Sequence, residues 1–341
     1  MNSSISSSDA SGWKRFAVTL VSGAALLLVS VVAFAYAVDP YDTGRSTLLA
    51  KPGVRPQGPW SAAASRGRDQ AFDAAITGNS HIQLLSPERL KASTGLAFVQ
   101  LSTPGGWPRE QFAVLNWYLR HRRQAAKALV VSADLTWCSS DPSAAATNPF
   151  PLWLYSESPL EYLRGLLRYG TLEEAGLRVA YAFDPKAERA RPDGYWDYDP
   201  RLARNQARNP ELRRPLEARP FANAPRLEQD PAEGTYLFPA ADRLRDVAAG
   251  LPDDTALIVV HPPRYTHALP PTQTEAAYRD AACKAAIAEA VRSHDRSAII
   301  DWRVQRPETQ DPELFFDAGH YRQPLAHLIE ADIAKALADL K

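Results

Sequence analysis

Apolar residues along the chain fall into one long run and several short ones. The long run is Phe16 to Val38, 23 residues without a charge. About 20 apolar residues span a bilayer, and a run with no polar face does not suit a helix of a soluble core. The short runs are strand-sized: Phe72 to Gly78, Gly95 to Leu101, Lys127 to Ala133, Thr255 to Val260 and Ser297 to Trp302. They do not alternate with polar residues, as expected of strands buried on both faces. Helical spacing fills the intervals. It runs over Arg109–Gln124, where Phe112, Leu115, Tyr118 and Leu119 share a face, over Thr274–Ser293 and over Tyr321–Leu340. Strands alternating with helices predict an α/β domain: a doubly wound, mostly parallel five-stranded sheet with helices on both faces.

Charge orders the first seventy residues. Residues 1–15 form a Ser-rich polar tail that ends in Lys14 and Arg15, and Asp39 and Asp42 follow the apolar run. Basic residues stay on the cytoplasmic side, so the run at 16–38 reads as a single-pass signal-anchor in the inner, cytoplasmic membrane. Everything after it is then extracytoplasmic, in the periplasm. Ala35-Tyr36-Ala37 has the small-x-small form of a cleavage site, and a signal cut after Ala37 is the alternative. Residues 39–70 are rich in Pro, Gly and Ser and read as an extended linker. Residues 71–341 form the α/β domain. Its rhythm breaks at about 140–245, a stretch rich in proline, aromatics and arginine with helices at Leu160–Arg168 and Ala240–Ala249. This stretch reads as an insertion over the top of the sheet.

Composition narrows the classes. The 341 residues carry 39 Lys+Arg against 39 Asp+Glu, so no net field attracts nucleic acid. The hydrophobic share of 45% is too high for a disordered chain, and two cysteines are too few for a disulfide scaffold. No Cys/His spacing points to a metal, and nothing calls for a cofactor.

Two short motifs carry chemistry. Gly78-Asn79-Ser80-His81 follows the first strand. A serine on that turn projects from the carboxyl edge of the sheet, where open α/β sheets bind ligands, and nearby backbone N–H groups can hold an oxyanion. Asp317-Ala318-Gly319-His320 follows the last strand. An Asp three residues before a His can take its Nδ1–H and leave Nε2 to act as a base. Each motif alone is equally a helix cap. Together they place Ser80, His320 and Asp317 on loops that share one edge.

This order resembles the SGNH (GDSL-like) hydrolase superfamily, over residues 70–135 and 250–341. It is closest to the membrane-anchored branch that modifies envelope polysaccharides. The resemblance implies Ser80 as nucleophile, His320 as base and Asp317 as its orienting acid. It implies an oxyanion hole from the Ser80 N–H and Gly105 or Gly106, with Asn79 as a further donor. The first block is GNSH rather than GDSL. The third block lacks its usual Asn, since Ser132-Ala133-Asp134 stands there, and an ionised Asp134 repels an oxyanion. Losing one such donor costs about 10²–10³ in rate. The expected function is a serine esterase or O-acyltransferase on extracellular polysaccharide, with an unidentified acyl donor and carbohydrate acceptor. The alternative is a non-catalytic glycan-binding or scaffold subunit working with polysaccharide-assembly partners.

Cys138 and Cys283 are either one disulfide or two separate buried thiols. His81, Asp134, His261 and Trp196 are candidates to line a substrate pocket. Tyr195-Trp196-Asp197-Tyr198, with Trp153 and Tyr155, either stack on sugar rings or form the insertion's own core.

Overall fold

The computed structural model describes residues 10–340 apart from 50, 57, 185 and 233. Most of the tail expected at 1–15 lies outside the described residues, and its last six positions are helical. Helix α1 (Ala10–Val38) holds the apolar run. Within its Gly12–Val38 stretch an 18-residue window reaches a mean hydropathy of 2.4, and the stretch is long and apolar enough to cross a membrane.

The domain is an all-parallel five-stranded sheet. The strands are β1 (Ala74–Gly78), β2 (Phe98–Ser102), β3 (Ala128–Ser132), β4 (Ala256–His261) and β5 (Ser297–Asp301). Their order is β2-β1-β3-β4-β5. The order reverses between β1 and β3, and a crevice opens at such a switch point above the carboxyl ends of the strands.

Among the described residues, eleven α-helices besides α1 belong to the domain. Between β1 and β3 lie α3 (Pro87–Thr94) and α4 (Pro108–Arg120), with α2 (Pro59–Gly67) ahead of them. The interval from β3 to β4 carries α5 (Leu152–Tyr155), α6 (Pro159–Leu166), α7 (Tyr169–Phe183), α8 (Asp199–Arg208) and α9 (Pro239–Gly250). Then come α10 (Glu275–Val291), α11 (Pro307–Gln310) and α12 (Gln323–Asp339). Alternate strand positions serve the two faces. Ile76, Val130 and Ile258 pack against Leu90, Leu325 and Ile329 of α3 and α12. Ala75, Leu129 and Leu257 pack against Phe112, Trp117, Leu244 and Ile287 of α4, α9 and α10. Both faces are therefore apolar, which is why the strands show no alternation.

Two expectations are corrected. The second strand begins at Phe98, not Gly95. Ser86 caps α3, Pro87 starts it, and Gly95 ends it at φ +79°, a left-handed position that glycine adopts without strain. Residues 39–70 are not an extended linker. Trp117 Nε1 donates to the Ala64 carbonyl at 2.9 Å, which ties α2 to α4. Asp42 is buried and accepts from Ser65 Oγ at 2.5 Å, from the Gly53 N–H at 2.7 Å and from Arg68. Arg66 and Arg178 stand 3.9 and 3.8 Å from its carboxylate. A buried carboxylate is tolerated when it is paired and hydrogen-bonded like this. Pro, Gly and Ser predict loops, and here the loop is pinned by charges that the composition does not reveal.

The insertion reaches one edge of the sheet. The Gln100 N–H of edge strand β2 donates to the Asp193 carbonyl at 2.7 Å, so insertion backbone caps an open edge.

Cys138, in the turn after β3, is bonded to Cys283 of α10. The bridge closes a separation of 145 residues. Chain-entropy arguments for a loop of that size give up to about 5 kcal/mol, and native bridges commonly contribute about 2–4. The Cys138→Ala/Cys283→Ala double variant is expected to lose about 2–5 kcal/mol in a denaturant titration. An unchanged midpoint and slope refutes this.

Candidate functional site

Gly78 ends β1 against the end of β3. Its φ is +149°, and a Cβ there stands 2.5 Å from Ser132 Cβ, so no other residue lets the two strand ends close. Asn79 then caps a single 3₁₀ turn, Ser80–Ile82, and its Oδ1 accepts the His81 N–H at 3.0 Å. This turn lifts Ser80 Oγ over the switch point.

The partner loop follows β5. Asp317 Oδ1 accepts the backbone N–H groups of Gly319 at 2.8 Å and His320 at 2.9 Å. Its Oδ2 takes His320 Nδ1 at 2.8 Å. A carboxylate only accepts, so the proton sits on Nδ1 and the Nε2 lone pair faces outward. Nε2 lies 2.9 Å from Ser80 Oγ, across 240 positions of sequence. Burial alone raises the Asp317 pKa. The hydrogen bond and charge of His320 and the two N–H donors outweigh it and hold the carboxyl well below its ordinary value. The Tyr265 N–H donates to the Ala318 carbonyl at 3.0 Å, which joins the loop after β4 to this one.

A second histidine–carboxylate pair lies alongside. His81 Nδ1 is 3.1 Å from Asp134 Oδ2, and the His81 ring centroid is 5.2 Å from that of His320. Gly319 makes room for it, since a Cβ there falls 2.6 Å from His81 Nε2. Asp134 is fully enclosed. It also accepts Asn79 Nδ2, and both the N–H and Oγ1 of Thr136 at 3.0 and 2.5 Å. Burial raises its pKa, but the bond and charge of His81, then Thr136 and Asn79, prevail and lower it.

Several expected site residues are placed elsewhere. The Asn79 amide is bound to Asp134 rather than free for an oxyanion. The Gly106 N–H is spent on the Thr103 carbonyl at 2.7 Å, which leaves Gly105, at φ +72°, as the remaining glycine candidate. Among the described residues, the Ser80 and Gly105 N–H groups have no protein acceptor. Asp134 faces its own partners and not an open pocket. His261 does not line a pocket either. It is buried under the edge, with Nδ1 on the Ala133 carbonyl at 3.0 Å and Nε2 without a partner.

The aromatic cluster divides. Trp153, Tyr155 and Tyr198 are core residues. Tyr198 nevertheless meets the His320 ring edge-on at 5.6 Å and donates its hydroxyl to the Tyr321 carbonyl at 3.2 Å. It walls the imidazole from within the insertion. Trp196 is half exposed in a groove with Pro59, Arg191 and Tyr195, and Gln83 Nε2 donates to its carbonyl at 2.8 Å, next to the Ser80 turn. A separate cleft lined by Asn116, Arg122, Arg243 and Pro252 lies at the amino ends of β3 and β4 and holds none of these groups. Sequence reasoning missed Thr136, the role of Gly319 and the contact of Tyr198, named only as a stacking or core aromatic, with His320. Thr136 stood two residues past Asp134 as a visible Asx-type signal, whereas Tyr198 comes from a distant segment with no local sign.

No protein-family model and no curated protein matches the chain.

His261 sets a pH signature. Burial, and then the Arg303 guanidinium, push its pKa down to about 4. Unfolded histidine titrates near 6.5, so between those values the unfolded state binds the extra proton. Stability therefore falls as pH drops from 6.5 to 4, by up to roughly 3 kcal/mol. His261→Asn keeps a donor for the Ala133 carbonyl and does not titrate. Its stability is expected to be flatter over that window in denaturant titrations at successive pH values. Parallel curves for the two proteins refute the assignment.

Proposed function

We propose that the chain is a serine-dependent esterase or O-acyltransferase of the SGNH type, anchored by α1 in the cytoplasmic membrane and acting outside it on envelope carbohydrate. The observation that carries this reading is the continuous relay from Ser80 Oγ to His320 Nε2 at 2.9 Å and from His320 Nδ1 to Asp317 at 2.8 Å. These are working distances for a nucleophile, its base and the group that orients the base.

His320 Nε2 takes the Ser80 Oγ proton as Oγ attacks the carbonyl of an ester or thioester. The tetrahedral oxyanion rests on the Ser80 and Gly105 N–H groups. Collapse releases the alcohol or thiol, which leaves with the proton from His320, and the acyl group stays on Oγ. A sugar hydroxyl or water then attacks the acyl-enzyme carbonyl and gives its proton to the same nitrogen. Collapse breaks the acyl–Oγ bond, releases the new ester or acid, and His320 returns that proton to Ser80 Oγ. Asp317 stabilises the imidazolium throughout.

Other features support the setting. The basic pair Lys14 and Arg15 precedes the apolar run, in keeping with a cytoplasmic N-terminus. The Cys138–Cys283 bridge suits an oxidising compartment. The groove at Tyr195 and Trp196 offers rings on which a sugar can stack. A second reading, a glycan-binding or scaffold subunit without turnover, draws support from the Asn79 amide and Gly106 N–H, both engaged elsewhere.

Labelling by a fluorophosphonate probe separates the two. Wild type is expected to label and Ser80→Ala is not. Asp317→Asn loses the tautomer control and is expected to label about 10³–10⁴-fold more slowly. Equal labelling of wild type and Ser80→Ala removes Ser80 from the mechanism. A wild type that does not label but binds glycan favours the scaffold.

A further inference from the structure

The end of α1 does not emerge freely into solvent. It packs on α6 and α7. Ala35 and Val38 are buried there, Val31 and Val32 are half-buried, and the Tyr36 ring meets Tyr162 of α6 edge-on at 6.3 Å. The depth of this contact follows from the length of the run. The first uncharged residue is Phe16, and about 20 residues cross the hydrocarbon, so the far boundary falls near residue 36. At 1.5 Å per residue, Val31 lies about 7 Å inside that boundary. Elements that cover residues 31–38 stand at the level of the lipid headgroups.

Helix α7 has two unlike sides at this level. One side is built into the protein. Glu174 pairs with Arg55 at 2.5 Å, Arg178 donates to the Lys51 carbonyl at 2.7 Å, and Tyr181 packs under Lys51. The other side is open and nearly uncharged. Its exposed positions are Tyr169, Gly170, Glu173, Gly176, Leu177, Ala180 and Phe183, with Glu173 the one ionisable carboxylate. Tyr169 is 83% exposed and Phe183 is 77% exposed. Leu160 and Leu167 add exposed apolar side chains on and just past α6, among the exposed charges of Glu161, Arg164 and Arg168, which suit a headgroup layer. A water-facing helix normally carries charges on such a side, and a contiguous apolar face marks a contact with lipid or protein.

We infer that the exposed face of the α6–α7 hairpin lies in the headgroup layer of the bilayer that α1 crosses, on the side that holds the α/β domain. The occupant is lipid because the face adjoins a membrane-spanning segment at its boundary. The depth of about 7 Å also matches helices that lie in the interface, which sink about 5–10 Å. The inference rests on α1 being a membrane anchor.

The test uses the full chain in phospholipid vesicles with nitroxide labels at Leu177→Cys or Phe183→Cys. Both native cysteines are bonded, so no other thiol competes. Leu27→Cys in α1 and Leu237→Cys, exposed in the insertion, are the reference sites. The ratio of collision rates with oxygen and with a water-soluble nickel chelate reads depth. Ratios at 177 and 183 several-fold above that at 237, and below that at 27, support the inference. Ratios equal to that at 237, with 27 still lipid-buried, overturn it and leave the anchor standing. A water-like ratio at 27 removes the anchor reading itself, and the inference with it. Exclusion of both reagents, with spin–spin broadening that dilution by unlabelled chain relieves, makes the face a contact between copies and also overturns it.

Discussion

One enclosed carboxylate organises the sheet edge that carries Ser80. Asp134 sits where β1 and β3 end, with its oxygens taken by Asn79, His81 and Thr136. Such a charge is expensive to bury unless every lone pair has a donor. That requirement fixes the rotamers of both residues that flank Ser80. Asn79 is held by its amide and His81 by its imidazole, so the turn between them cannot swing. Ser80 Oγ is thereby aimed at the loop after β5, and the short distance to His320 needs no further adjustment. Gly78 and Gly319 make the arrangement possible by leaving space for Ser132 and for the His81 ring.

The same carboxylate changes the electrostatics of the site. His81 Nδ1 lies 3.1 Å from that carboxylate, and its ring stands 5.2 Å from the His320 ring. The Asn79 amide is engaged by the same carboxylate and is not free to donate into the space beside Ser80.

The sheet, its strand segments and the Ser80–His320–Asp317 grouping could be read from local pattern. Apolar runs without alternation mark doubly buried strands, and parallel strands deliver all their following loops to one edge, so residues 80 and 317–320 meet. What could not be read depends on pairings that leave no local trace. Residues 39–70 look like a linker by composition, yet Asp42 gathers Ser65, Arg66, Arg68 and Arg178 from positions up to 136 residues away. His261 follows a strand as a pocket residue would, but the Ala133 carbonyl draws it beneath the edge. Gly106 looked as good as Gly105 until a tight turn consumed its N–H. In each case a hydrogen bond to a sequence-distant or backbone group decided the role, and residue type alone is blind to it.

The insertion links these parts mechanically. It supplies Tyr198 against the base, Asp193 against the β2 edge, and the helices that pack on the end of α1. Arg178 of α7 bonds to the segment that leaves α1, and that segment bonds through Asp42 to α2 beneath the sheet. A flexible linker of thirty residues lets a catalytic domain sample a radius of about 30 Å. Here the same thirty residues are folded into the domain, so the height of Ser80 above the end of α1 is set by packing. On the proposed reading a substrate is presented at that height, which suits a chain or carrier delivered at the membrane better than one diffusing freely in solution.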